Sequence, residues 1–263
     1  MQAIENIEEF SRRFSRWTAR EDLRGYPFLE NRHAPFTPLR RALPLLNLAL
    51  ISSTGAYING TEAFDLDTRD GDLTFREIPI EVDGRDLVFE AKGYDPASVM
   101  QDRNSQIPID RLLEYQANAV IGQLNNVWWS ISSYIPNAVR VAEELTPAVA
   151  ARLGRYEVHA ALFIPASRLC HQTLAIIARG VESTGIPTMM ISVDPILSDR
   201  VRPPRAAYYN GEFGSVAGKP NWREYQLRVL DESIRWIESF DQPSSKKLSV
   251  DLETQVEAAR GER

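Results

Sequence analysis

Ile4, Ile7, Phe10, Phe14 and Trp17 recur at three- and four-residue spacing, which predicts an amphipathic helix over residues 4–24. A proline-rich connector follows, with Pro27, Pro35, Pro38 and Pro44. Residues 46–53 form a continuous apolar run ending in Ser52-Ser53-Thr54-Gly55, the pattern of a strand buried on both faces of a parallel sheet. Residues 56–85 read as a long polar excursion around the acidic turn at 65–72, and a short strand is expected at 87–91. From Pro108 onward helices and strands alternate. Helix 109–118 precedes strand 119–124, helix 137–153 precedes strand 160–165, and helix 171–184 precedes strand 188–193. Strand 206–210 and helix 222–240 complete the series, and Gly185-Ile186-Pro187 is a helix stop followed by a strand start. This alternation predicts an α/β fold, three-layer, with a mostly parallel sheet and helices on both faces (Rossmann/flavodoxin-like), preceded by an N-terminal helix. The expected division is 1–45 for the N-terminal helix and connector, 46–240 for the α/β domain, and 241–263 for a polar tail, mobile or loosely helical. No internal repeat is visible.

Composition narrows the function classes. With 43% hydrophobic and 25% charged residues the chain is ordinary globular protein. A net charge of −6 argues against a general nucleic-acid binder, which needs a basic surface. The most apolar segment, 42–53, is broken by Pro44 and Asn47 and is too short to span a bilayer, so no membrane partner is expected. The N-terminus is acidic and amphipathic, unlike a secretory signal. One cysteine forms no internal disulfide, so the expected location is the reducing cytoplasm.

That cysteine is the first candidate for chemistry. Ligands of open α/β sheets bind beyond the carboxyl ends of the strands, where helix-start N–H groups are free. Cys170 falls five residues after the expected strand 160–165, at the entrance to a helix. A helix N-terminus favours the thiolate, and His171 would assist with its ring turned inward. The plainer alternatives are a small buried hydrophobe for Cys170 and a solvated helix-start residue for His171. Ser53, Thr54 and Gly55 open onto the same edge and would hold a carboxylate or phosphate through backbone N–H groups, although any tight strand exit needs small residues.

No glycine-rich dinucleotide fingerprint or phosphate-loop lysine is present, so the cofactor is left open. His33, His159 and His171 lack the spacing of a zinc site. The acidic turn has Arg69 where a calcium loop needs a ligand, and reads as a solvated turn. Trp128-Trp129 would line a cavity or, more simply, belong to the core or an interface. Arg200, Arg202 and Arg205 bracket Pro203-Pro204 and would clamp an anionic substrate, or be surface charge.

Several segments occur together in order: Thr74-Phe-Arg-Glu-Ile-Pro79, Asp102-Arg-Asn-Ser-Gln-Ile-Pro-Ile-Asp-Arg-Leu112, Cys170-His-Gln-Thr173, the stretch 178–188, and Val201-Arg-Pro-Pro-Arg205. This arrangement, over about residues 46–240, resembles the glycine/sarcosine/betaine reductase selenoprotein B family, and by length it is closer to the selenoprotein subunit of D-proline reductase. The resemblance implies an enzyme acting on an amino acid or similar nitrogen compound. It also implies a selenocysteine or cysteine paired with a cysteine three residues on, and a separate pyruvoyl subunit that binds the substrate amine. Cys170 matches the second member of the pair. The first falls on Ser167, which forms neither a selenenyl-sulfide nor a disulfide, and Gly93-Tyr94-Asp95-Pro96 lacks the family's histidine.

The resulting expectation is a small-molecule enzyme of altered chemistry, in amino-acid or specialised-metabolite biosynthesis. Cys170 and His171 would be catalytic, and Ser53, Thr54, Gly55, Arg76, Glu77, Tyr94, Asn104, Ser167, Gln172 and Arg205 would bind substrate. One alternative is a non-catalytic or partner-dependent subunit, or a homo-oligomer, docking through Trp17 and Trp128-Trp129. Another is a racemase or lyase, which needs a second acid/base group from Asp95, Asp102 or His171.

Overall fold

Strands that are apolar on both faces need a helical layer on each side, and the sheet is built around such strands. The structure, a computed structural model, describes residues 3–18, 22–251 and 254. Helix α1 (Ile7–Arg16) is followed by strands β1 (Asn47–Ser52), β2 (Ala56–Ile58), β3 (Phe75–Pro79) and β4 (Leu87–Phe89). Helices α2 (Ala97–Gln101) and α3 (Ile109–Ala117) lead to β5 (Gln123–Leu124) and β6 (Val127–Ile131). Helices α4 (Ala138–Arg140) and α5 (Thr146–Arg155), joined through a π-helical turn at Val141–Leu145, lead to β7 (Ala160–Ile164). Then come α6 (Arg168–Ser183), β8 (Thr188–Ser192), α7 (Pro195–Val201), β9 (Arg205–Tyr208), α8 (Arg223–Ser239) and β10 (Ser244–Lys247).

The main sheet has the order β10-β9-β8-β7-β1-β6-β3, parallel throughout except β3, which runs antiparallel to β6. The small β2–β4 pair is antiparallel. Leu48 and Leu50 of β1 face a core shared with α3 and α8, while Ala49 and Ile51 face one shared with α1, α5 and α6. The expected three-layer, mostly parallel architecture with an N-terminal helix is therefore present. No described helix is long and apolar enough to cross a membrane.

Several elements differ from the sequence pattern. The expected helix 4–24 is shorter: α1 ends because Trp17 is extended, with its indole packed on Phe14 and Tyr26. Residues 19–21 of that expected helix lie outside the described residues. Strand 119–124 is mostly a turn, with Ala119 at φ +55, and the long strand of this edge is β6. Between β5 and β6 the pairing with β1 slips from Asn47↔Gln123 to Ile51↔Trp129, and Asn125 bridges the slip with its N–H on the Leu48 carbonyl. Trp128 and Trp129 thus lie one in each core, and Trp17 is buried too. These three indoles are interior and offer no docking surface. Ser244–Lys247, expected in a mobile tail, adds an edge strand to β9. Residues 252, 253 and 255–263 of that tail lie outside the described residues.

The topology also sets a switch point in the sheet. β1 leaves the sheet toward the α3 face, whereas its parallel neighbour β7 leaves toward the α6 face. Adjacent strands departing to opposite faces form a switch point, the usual crevice for a ligand at the carboxyl edge of an open sheet.

Candidate functional site

Ser167 and Cys170 stand at this switch point. Ser167 is extended (φ −146, ψ 174) and caps α6 with its Oγ, which accepts the Cys170 N–H at 3.1 Å. The cap sets Cys170 in the first turn of the helix, which begins three residues earlier than the expected helix 171–184. Its Sγ lies 3.3 Å from the Ser53 carbonyl at the end of β1 and 3.1 Å from the Ser133 carbonyl beyond β6. A thiol proton between two carbonyls is a donor in place, so the neutral form is the one this geometry holds.

The surroundings pull in opposite directions. Burial is the largest influence and pushes the thiol up, while the Ser167 and Ser53 hydroxyls and the Ala166 and Ser167 N–H groups favour the thiolate. Cys170 is 1% exposed, and burial wins. Burial thus opposes the thiolate that an open helix terminus would favour.

A strap of chain, residues 90–95, runs from β4 to α2 across this region. The Glu90 N–H donates to the Gly55 carbonyl at 3.0 Å, the Ser133 hydroxyl donates to the Glu90 carbonyl at 2.5 Å, and the Lys92 N–H donates back to that hydroxyl at 3.0 Å. The Tyr94 hydroxyl then donates to the Thr54 carbonyl at 2.7 Å. Burial and the nearby Cys170 sulfur both push the Tyr94 phenol up, so it is a neutral donor. Gly55 suits its place for two reasons: its φ is +65, and a Cβ would collide with the Glu90 carbonyl. Its N–H is already spent on the Ile131 carbonyl at 3.0 Å and is not free for an anion.

Ser53, Thr54, Gly55, Tyr94, Ser167 and Cys170 are therefore brought together. The other candidates are held elsewhere. His171 turns its Nε2 to the Ser192 and Ser198 hydroxyls at 2.8 and 2.9 Å, and burial pushes its pKa down to about 4. Gln172 braces the N-terminal connector, accepting the Leu29 N–H and donating to the Tyr26 hydroxyl, both at 2.7 Å. Arg76 covers the β3 edge, donating to the Glu62 and Ala63 carbonyls and stacking on Phe64. Glu77 pairs with Arg152 and accepts from the Trp129 indole. Asn104 donates to Asp110 at 2.7 Å and lines a separate cavity of about 480 Å³ with Asp83, Arg85 and Met100. Arg205 is fully buried against Glu182 at 2.7 Å and donates to the Thr37 carbonyl, so it fastens the connector where a substrate clamp was expected.

Ser133 and Glu90 went unnoticed in the sequence. Reading Val127–Ile131 as a strand would have put Ser132-Ser133 at a strand exit on the site edge. Among the described residues no cluster of His, Cys, Asp or Glu is placed to hold a metal ion.

One reductase subunit is similar over most of this chain and two others over less than half of it. D-proline reductase subunit gamma of Acetoanaerobium sticklandii is 28% identical over 213 residues, covering 81% of this chain and 86% of the relative. The chain is similar in sequence to this reductase subunit. Glycine reductase complex component B subunit gamma of Symbiobacterium thermophilum is 30% identical over 108 residues, and that of Carboxydothermus hydrogenoformans 29% over 108. Those two matches cover 40% of this chain and 24% of each relative, so the chain spans about a quarter of their length. No family model matches the chain, and no solved structure matches it significantly.

Proposed function

We propose that this protein is a reductase-like enzyme for an amino acid or related small nitrogen compound, with its chemistry centred on Cys170. The observation that carries the reading is a single thiol at the switch point of an open sheet, at a helix N-terminus and between two strand-end carbonyls. Kinship to D-proline reductase subunit gamma supports the reductive character. Ser53, Thr54, Tyr94 and Ser167 would wall the substrate, with Gly55 holding the strap. Amino-acid or specialised-metabolite metabolism is the setting proposed, in the cytoplasm.

The chemistry open to this site is limited by Ser167. Its hydroxyl cannot close a disulfide with Cys170, so an internal redox pair is absent. A two-electron reduction would need an external dithiol, which supplies both electrons and both protons and is itself oxidised to a disulfide. Without one, Cys170 would act as a nucleophile in its thiolate form or transfer its own proton.

A second reading, a subunit that works only with a partner, is favoured by the 1% exposure of Cys170. A partner that opens the site would then be part of the active assembly. Alkylating Cys170, removing the reagent and only then screening amino acids with a dithiol reductant tests the first reading. Turnover is expected to fall in proportion to label, and a labelled protein that keeps full turnover would overturn it. Turnover seen only after a second subunit is added would favour the partner-dependent form.

A further inference from the structure

The layer over Cys170 is thin and unevenly fastened. Gly93 and Asp95 in the strap are exposed, whereas Ser167 beneath them is buried. A Cβ on Gly93 would lie 3.6 Å from the Ser167 side chain, so the strap rests directly on the helix cap. At its root the strap is held by the Glu90 N–H on the Gly55 carbonyl, by the Ser133 hydroxyl between the Glu90 carbonyl and the Lys92 N–H, and by the Lys92 ammonium on the Leu66 carbonyl at 3.0 Å. Farther along, the Tyr94 hydroxyl on the Thr54 carbonyl is the bond that ties it to β1. Gly93 lies between the two fastenings with φ +85, a conformation that glycine adopts without strain and that suits a hinge.

The closed state also carries a cost. Thr54 Oγ1 is buried with no hydrogen-bond partner among the described residues, next to the carbonyl that receives Tyr94. Opening would let water reach that hydroxyl, which lowers the price of opening.

We infer that Tyr94 and Asp95 form a gate over Cys170, hinged at Gly93 and latched by the Tyr94 hydroxyl on the Thr54 carbonyl. The inference rests on the reading of Cys170 as the reaction centre and adds how that centre is exposed. The groups that favour the thiolate, Ser53, Ala166 and Ser167, belong to the exit of β1, to the turn after β7 and to the cap of α6, and none is on the strap. Lifting the strap therefore rehydrates the sulfur while leaving those donors in place. His171, the nearest ionisable group on α6, stays engaged with Ser192 and Ser198, and Tyr94 leaves with the strap. A closed gate stores an inert thiol, and an open one presents a reactive thiolate at a helix N-terminus.

Iodoacetamide labelling of the native protein tests the gate, because one cysteine gives one label readable by intact mass. The wild-type protein is expected to label slowly, at a rate that dilute urea does not change. Tyr94→Phe is expected to label several-fold to about tenfold faster, the effect of one lost hydrogen bond. Should Tyr94→Phe fail to fold, the wild-type chain decides by itself, since labelling at a rate independent of urea reports a local opening. Equal labelling rates, or a thiol that reacts in both proteins only with the urea dependence of global unfolding, would overturn the gate. Failure of the Cys170-centred reading shows separately, as turnover that survives loss of the thiol.

Discussion

Replacing Arg205 with methionine distinguishes an internal ion pair from the substrate clamp that the sequence suggests. Arg205 and Glu182 are both 0% exposed, with Nη1 to Oε1 at 2.7 Å. Glu182 also accepts from the Thr37 N–H at 2.6 Å and from the Thr188 N–H and hydroxyl at 2.7 and 2.8 Å. Taking away the guanidinium leaves a buried carboxylate with hydrogen bonds but no counter-charge, and it strips the Thr37 carbonyl of its donor. Breaking a buried pair costs about 3–5 kcal/mol, and the surviving donors place this one near the lower end.

The cost should depend on pH. Burial already pushes Glu182 up, with Arg205 the leading opposing influence, so Arg205→Met raises it further. A carboxyl whose folded pKa is raised binds more protons folded than unfolded. Its stability contribution is therefore present below the unfolded value and lost as pH rises toward the folded one. Urea unfolding followed by tryptophan fluorescence should show a larger deficit at about pH 8 than at about pH 5, and Glu182→Gln added to Arg205→Met should recover part of it. Unchanged stability combined with a raised KM would refute the argument and restore Arg205 as a substrate contact.

Two further outcomes follow from the same interior. His171 is neutral when folded, with its pKa near 4 against an ordinary 6.5, burial being the main cause and Asp194 opposing it. Stability should fall by up to about 3 kcal/mol as pH drops from about 6.5 to about 4, and His171→Asn should flatten that slope; an identical slope in the variant would contradict this. Gly55→Ala forces a side chain into φ +65 and against the Glu90 carbonyl, so unfolding should show a loss of about 2–4 kcal/mol, and a loss under about 0.5 would mean the strap yields freely.

Much of the scaffold was legible because buried parallel strands write themselves as unbroken apolar runs. β1, β7 and β8 have that form, and Gly185-Ile186-Pro187 marks the turn between α6 and β8. β6 was harder to see, since Val-Trp-Trp-Ser-Ile reads as an aromatic pair until its partners on both sides are known. β10 has no hydrophobic signal at all. Ser244–Lys247 is a strand because β9 offers it an edge, and no local pattern announces that.

The candidate site divides along the same line. Strand exits and the helix entrance pointed to Ser53, Thr54 and Cys170, and the resemblance pointed to Ser167; the structure puts all four on one edge. The directions of His171, Gln172 and Arg205 could not be read. Helix α6 is buried on nearly all sides, so no polar face shows which way consecutive residues point. Cys170, His171 and Gln172 therefore serve three different neighbourhoods within one turn.

The central claim is that the reaction passes through the Cys170 sulfur. Its most direct test is turnover by Cys170→Ser beside the wild-type protein, with matched unfolding curves. The hydroxyl can still donate to the Ser53 or Ser133 carbonyl, so stability should change by no more than about 1 kcal/mol. The account predicts a folded protein with turnover abolished; a folded Cys170→Ser protein with wild-type turnover would contradict it.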